Sequence, residues 1–151
     1  MPVRTVCRAL LLGCLLLSAC AVPRTASTAS ATAGAGLGPV QRLLDAFNAH
    51  DVEAMTRCVT EDVQWLSLQA ATLRVETEGR AALAEAMTGY FRSLPSARSE
   101  IEVRLVADGF VAVRERAHWE QDGEPHSQAA LAVYEVRSNL VARVWYFAAE
   151  R

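Results

Sequence analysis

The last third of the chain constrains the fold most. Four runs rich in valine, aromatic residues and alternation lie there: Ile101–Ala107, Phe110–Glu120, His126–Val136 and Leu140–Ala148. Asp108-Gly109 separates the first two, Gln121-Asp122-Gly123-Glu124-Pro125 the next two, and Ser138-Asn139 the last two. Asp-Gly between alternating runs signals a hairpin, because the tightest hairpin turn needs positive φ at both central residues. Four consecutive antiparallel strands are therefore expected. One face of such a sheet must be covered, and the segment from Pro39 to Leu94 reads as the cover.

Pro39 suits the first turn of a helix. Val40, Leu43, Leu44 and Phe47 then repeat at the spacing of one buried stripe. Asn48-Ala49-His50 breaks that pattern. Asp51 is a good N-cap for a second helix marked by Val52, Met55 and Val59 and ended by Glu61-Asp62. Val63–Leu68 and Thr72–Thr77 read as strands. Thr77 is read as the cap of a third helix, with Glu78 in its first turn. Leu83, Met87, Tyr90, Phe91 and Leu94 form its apolar face, and Pro95 stops it.

The first 38 residues carry a different signal. Met1–Arg8 has two arginines and no acid, Ala9–Leu17 is almost wholly apolar, and Ser18-Ala19-Cys20 follows. That is the order of a secretory signal peptide, and its apolar run is shorter than the ~20 residues a spanning helix needs. Leu17-Ser18-Ala19-Cys20 resembles the bacterial lipobox, in which the peptidase selects small residues and the new N-terminal cysteine accepts the lipid. Residues 1–19 are thus expected to be a lipoprotein leader and Cys20 the lipidation site. The alternative is an ordinary cleaved leader with an incidental cysteine. Ala21 after the cysteine implies the outer membrane, with the domain facing the periplasm of a bacterial cell envelope. Ala21–Gly38 is mostly Ala, Ser, Thr and Gly with one Pro, and has no periodic apolar pattern from which to form a core. As a random coil its 18 residues would span roughly 20–25 Å. Residues 39–151 remain as one small domain.

Charge and cysteine content narrow the partners. The chain of 151 residues has a net charge of -2. Of its 15 basic residues, Arg4 and Arg8 leave with the leader, so 13 face 17 acids, a balance of -4. A mildly acidic domain without a basic run is a poor ligand for nucleic acid, and no nucleic-acid partner is expected. Cys7 and Cys14 also leave with the leader. Cys58 is then the one thiol of the domain, on an apolar helical phase, and is read as a small core residue.

Several stretches resemble the SnoaL-like branch of the nuclear transport factor 2 superfamily. They are Val40–Trp65 (VQRLLDAFNAHDVEAMTRCVTEDVQW), Gly79-Arg80-Ala81-Ala82-Leu83, ADGFVAVRER at the central hairpin, and LVARVWYFAAE at the end. The resemblance implies an α+β, cone-shaped domain. Three N-terminal helices would lie on a curved, mainly antiparallel sheet, with a pocket between them. It also implies homodimers packed sheet to sheet. Related enzymes place carboxylates inside the cone, where an apolar cavity makes them useful acids or bases. Two places in the chain depart from that pattern. Trp65, Leu66 and Ser67 stand where isomerases of the superfamily carry their base, and Ala148 stands where many SnoaL-like domains end on Asp.

Alternation in the second long strand puts Val111, Val113, Glu115, Ala117 and Trp119 on one face, so Glu115 is an acid on the apolar side. It is the candidate catalytic residue; the alternative is a Glu paired with an Arg of a neighbouring strand. His50, His118 and His126 have no metal-ligand spacing. His118 and His126 could face each other across their hairpin. No metal site and no cofactor is expected. The ring-bearing residues Phe47, Trp65, Tyr90, Phe91, Trp119, Tyr134 and Tyr146 come from every element that would line a cone, and are the candidate ligand-binding set. The alternative is that such rings simply fill the core. The expected function is a lipid-anchored envelope domain that binds a small apolar molecule. The rivals are an isomerase, cyclase or hydrolase using Glu115, and a non-catalytic dimerisation module.

Overall fold

The structure is a computed structural model and describes residues 37–150. The expected leader, Cys20 and most of the tether lie outside the described residues.

Helix α1, Leu37–Asn48, carries Pro39 in its first turn and buries Val40, Leu43, Leu44 and Ala46. The left-handed backbone of His50 turns the chain. Asp51 then caps α2, Val52–Arg57, by accepting a hydrogen bond from the Ala54 N–H at 2.8 Å. This helix is shorter than expected: Val59 belongs to strand β1, Val59–Gln69, which pairs with β2, Thr72–Glu78. Helix α3, Arg80–Ser93, is capped by Gly79 rather than Thr77. Gly79 has φ of +85°, and its N–H bonds to the Val63 carbonyl at 2.7 Å, so a bend that few side chains tolerate delivers the chain from sheet to helix.

The four expected strands follow as β3 Arg98–Ala107, β4 Phe110–Gln121, β5 Glu124–Arg137 and β6 Leu140–Phe147. Their turn residues Asp108-Gly109, Asp122-Gly123 and Ser138-Asn139 all have positive φ. The six strands form one sheet in the order β2-β1-β6-β5-β4-β3. Every pairing is antiparallel except β1 with β6.

Cross-strand partners share a face. The inner face carries Trp65, Val144, Tyr134, Val111 and Val106 as one row across five strands. It packs under the helices around Val40, Leu43, Met55, Val63 and Leu83. Bulges interrupt the ladders of β3 at Ile101/Val103 and of β5 with β6 at Glu135/Val136; such insertions bend a sheet and strengthen its twist. The expected α+β architecture, helices on one face of a curved and mainly antiparallel sheet, is the one observed.

Candidate functional site

The helices do not fill the hollow of the sheet. A chamber of about 220 Å³ remains. Leu43, Leu44 and Phe47 of α1, Met55 of α2, and Met87 and Tyr90 of α3 form its roof. Trp65, Ser99, Glu115, Ala117, Tyr134 and Tyr146 rise from the strands below. The chamber exists because small residues stand beside the long ones. Glu115 pairs across the ladder with Ala130, and Tyr146 with Ala132, so glutamate and tyrosine lean into space their neighbours leave open. A second cavity of about 290 Å³ adjoins it, sharing Glu115, Ala117 and Tyr146 and reaching Ser67, Gln69 and Gln128.

Glu115 is the polar centre, only 9% exposed. One of its oxygens accepts a hydrogen bond from Ser99. The other accepts from the Tyr134 hydroxyl at 2.6 Å and the Tyr146 hydroxyl at 2.9 Å. The two phenol oxygens lie 3.1 Å apart. Burial, together with the charge of Glu115 and the neighbouring phenol, holds Tyr134 well above the usual tyrosine range; burial and Glu115 do the same to Tyr146. Tyr90 is raised too, by burial and by Glu115. The phenols therefore keep their protons at neutral pH and act as donors. A carboxylate held by three hydroxyls in an apolar hollow can receive or return a proton, or anchor the polar end of a ligand.

Ser99 is itself held in place. Its N–H donates to Asn48 Oδ1 at 2.7 Å, and Asn48 Nδ2 donates to the Ser99 carbonyl at 2.8 Å. The end of α1 thus fixes the residue that fixes Glu115. Sequence reading passed over both residues. The Asp108-Gly109 turn, followed without interruption, sets Ser99 opposite His118, on the outer face. The bulge at Ile101/Val103 shifts the register by one, sets Ser99 opposite Ala117 and turns it inward.

Of the sequence candidates, Phe47, Trp65, Tyr90, Tyr134, Tyr146 and Glu115 come together around the chamber. Phe91 and Trp119 do not. Phe91 follows Tyr90 on α3, and the ~100° step of a helix turns it away. It packs instead against Phe47 and, stacked at 4.3 Å, His50. Trp119 shares the face of Glu115 but lies farther out on the β4–β5 hairpin, stacked on His126 at 5.6 Å. His118 and His126 do not face each other: His118 pairs with Ser127, bonds to Glu100 at 3.1 Å, and stands on the opposite face. Cys58 is half-buried in a groove with Arg42 and Arg57, and burial pushes its thiol up. Among the described residues no three His, Cys, Asp or Glu side chains gather as a metal site.

The SnoaL-like domain pattern matches residues 40–144. No curated protein matches the chain. Among solved structures, an uncharacterised cystatin-fold protein from Novosphingobium aromaticivorans superposes with a TM-score of 0.64 at 23% identity, covering 75% of this chain and 97% of its own. IdmH, a putative polyketide cyclase from Streptomyces antibioticus, gives 0.62 at 17% identity, covering 76% and 91%. A putative polyketide cyclase from Xanthomonas campestris gives 0.59 at 22% identity, covering 78% and 92%. At these identities the likeness is one of fold.

Proposed function

The chain belongs to the family of SnoaL-like domains, and from that premise we propose that it binds a small, largely apolar molecule in the chamber beneath its helices. The observation that carries the reading is the chamber itself: a hollow walled by Leu, Met and aromatic side chains, with polar groups converging at one point, Glu115. The adjoining cavity gives such a molecule a way to extend past Tyr146. Native mass spectrometry of protein taken from its own cells tests this. A retained small molecule is expected in the wild type, and its loss in Ala117→Phe, which fills the junction of the two cavities. A wild type that retains nothing and binds no apolar dye would sink the proposal.

A second reading has its own support. Glu115 stands in an apolar hollow beside phenols that keep their protons, a setting suited to proton transfer in an isomerase or cyclase. It predicts turnover that falls by a factor of about 10²–10⁴ in Glu115→Gln. Retained binding with unchanged turnover in that variant would remove it.

We also propose that Cys20 anchors the domain to the bacterial envelope, on the strength of the lipobox-like Leu17-Ser18-Ala19-Cys20. Cys20→Ser is expected to release the protein from the membrane fraction. Equal partition of both forms would refute the anchor.

A further inference from the structure

The charge of the chamber is one-sided. Glu115 is buried, and the groups that hold it, Ser99, Tyr134 and Tyr146, are all neutral hydroxyls. Among the described residues no arginine or histidine lines the chamber or the adjoining cavity, and the chain contains no lysine. The nearest arginines of the same strand, Arg114 and Arg116, point to the other face and pair with Glu102; Arg114 also pairs with Glu150. An ionised carboxylate away from water normally has a cationic partner, because the low-dielectric surroundings do not solvate it. Among the described residues Glu115 has no such partner.

The rest of the wall completes the pattern. Phe47, Trp65, Tyr90, Tyr134 and Tyr146 all line the chamber, and Trp65 stacks on Tyr146 at 5.8 Å. Aromatic rings present negative faces that attract cations, most strongly out of water. The protons of Ser99, Tyr134 and Tyr146 are already committed within the cluster, so what these groups offer an incoming molecule is oxygen lone pairs. Tyr90 brings one further hydroxyl, which does not offset a carboxylate. A carboxylate or phosphate on the ligand would meet like charge.

We infer that the molecule this chamber accepts is a hydrophobic cation, a protonated amine or quaternary ammonium with aryl or alkyl groups. Its charge supplies the counter-ion that Glu115 lacks, and the aromatic walls enclose its apolar part. The inference rests on the ligand-binding reading above and narrows its chemical class.

Calorimetric titration of the domain with two molecules of the same shape separates the two ideas. Phenyltrimethylammonium carries the charge, and tert-butylbenzene does not. The cation is expected to bind at least about tenfold more tightly, with the preference abolished in Glu115→Gln and reduced in Trp65→Leu. Equal binding, or preference for the neutral molecule, overturns the cation inference and leaves the chamber reading standing. Binding of neither overturns both. A preference that survives Glu115→Gln overturns the role given to that carboxylate. If that variant does not fold, the wild-type pair and Trp65→Leu still decide: an undiminished preference in Trp65→Leu overturns the part assigned to the aromatic wall.

Discussion

Asn48 makes two hydrogen bonds to the backbone of Ser99, and both groups it satisfies lie in the interior. Removing one partner leaves a buried donor or acceptor without water or replacement, which costs about 1–3 kcal/mol. Asn48→Ala is expected to lower the unfolding free energy by that amount, and Asn48→Asp, which keeps the acceptor and loses the donor, by less. Urea titration distinguishes the two; equal stability of all three proteins would show that Asn48 is no clamp. The tyrosines bear on pH. Their pKa values are raised in the folded chain above the ordinary value of 10.0. Below that value both folded and unfolded chains hold the protons, and the contribution is whole. As pH rises past it, the unfolded chain releases protons that the folded chain keeps, and stability falls toward the folded pKa. The urea midpoint should therefore decline above about pH 10, and less steeply in Tyr134→Phe. A flat profile would argue against buried phenols. Residues on a regular alternation were legible in the sequence: the parity of β4 placed Glu115 among Val111, Val113 and Ala117. Residues placed by an irregularity were not. The inward turn of Ser99 depends on one inserted position in β3, and Phe91 left the chamber because one helical step separates it from Tyr90.

At the scale of elements, turn chemistry was the clearest signal. Asp108-Gly109, Asp122-Gly123 and Ser138-Asn139 each open a hairpin where the residue types allow positive φ. Starts of elements were harder. Thr77 looked like the better cap because its hydroxyl can accept a helix N–H, yet the chain needs a left-handed bend at Gly79 first, and no side chain caps α3. The inner row of β6 could not be chosen from sequence. The register break beside Glu135/Val136 brings Val141 and Val144 to the same face, so neither odd nor even positions describe the strand. Two glycines give a paired prediction. Gly79→Ala places a side chain at φ of +85° and should destabilise by about 1–2 kcal/mol. Gly89 lies exposed inside α3 with open space around it, so Gly89→Ala should stabilise by about 0.5–1 kcal/mol. Shifts of the same sign in urea unfolding would contradict this account of α3.

At the scale of the molecule, the outer face of the sheet remains. Val75, Leu66, Trp145, Val133, Ala112 and Leu105 form one apolar row across all six strands. Leu73, Val75, Leu105, Phe110 and Leu131 are exposed by 43–69%, and cross-strand pairing sets them on that face too. With strands spaced about 4.8 Å apart, the row runs roughly 24 Å. Ion pairs border the band on both sides, Arg143 and Arg137 with Glu135 along one edge and Arg114 and Arg116 with Glu102 along the other. A continuous apolar band of this extent marks an interaction surface. We propose a second copy of this chain as its occupant, because a band apolar from end to end can meet itself about a twofold axis without opposing like charges. Leu131→Arg sets a second guanidinium beside Arg114, its cross-strand partner. In sedimentation the wild type is expected to run as a dimer and Leu131→Arg as a monomer. Because Leu131 is 43% exposed in the single chain, the variant should unfold at nearly the wild-type urea midpoint once dimerisation is allowed for, and should still retain a ligand. A wild type that stays monomeric at high concentration would mean that this face meets something other than its own kind.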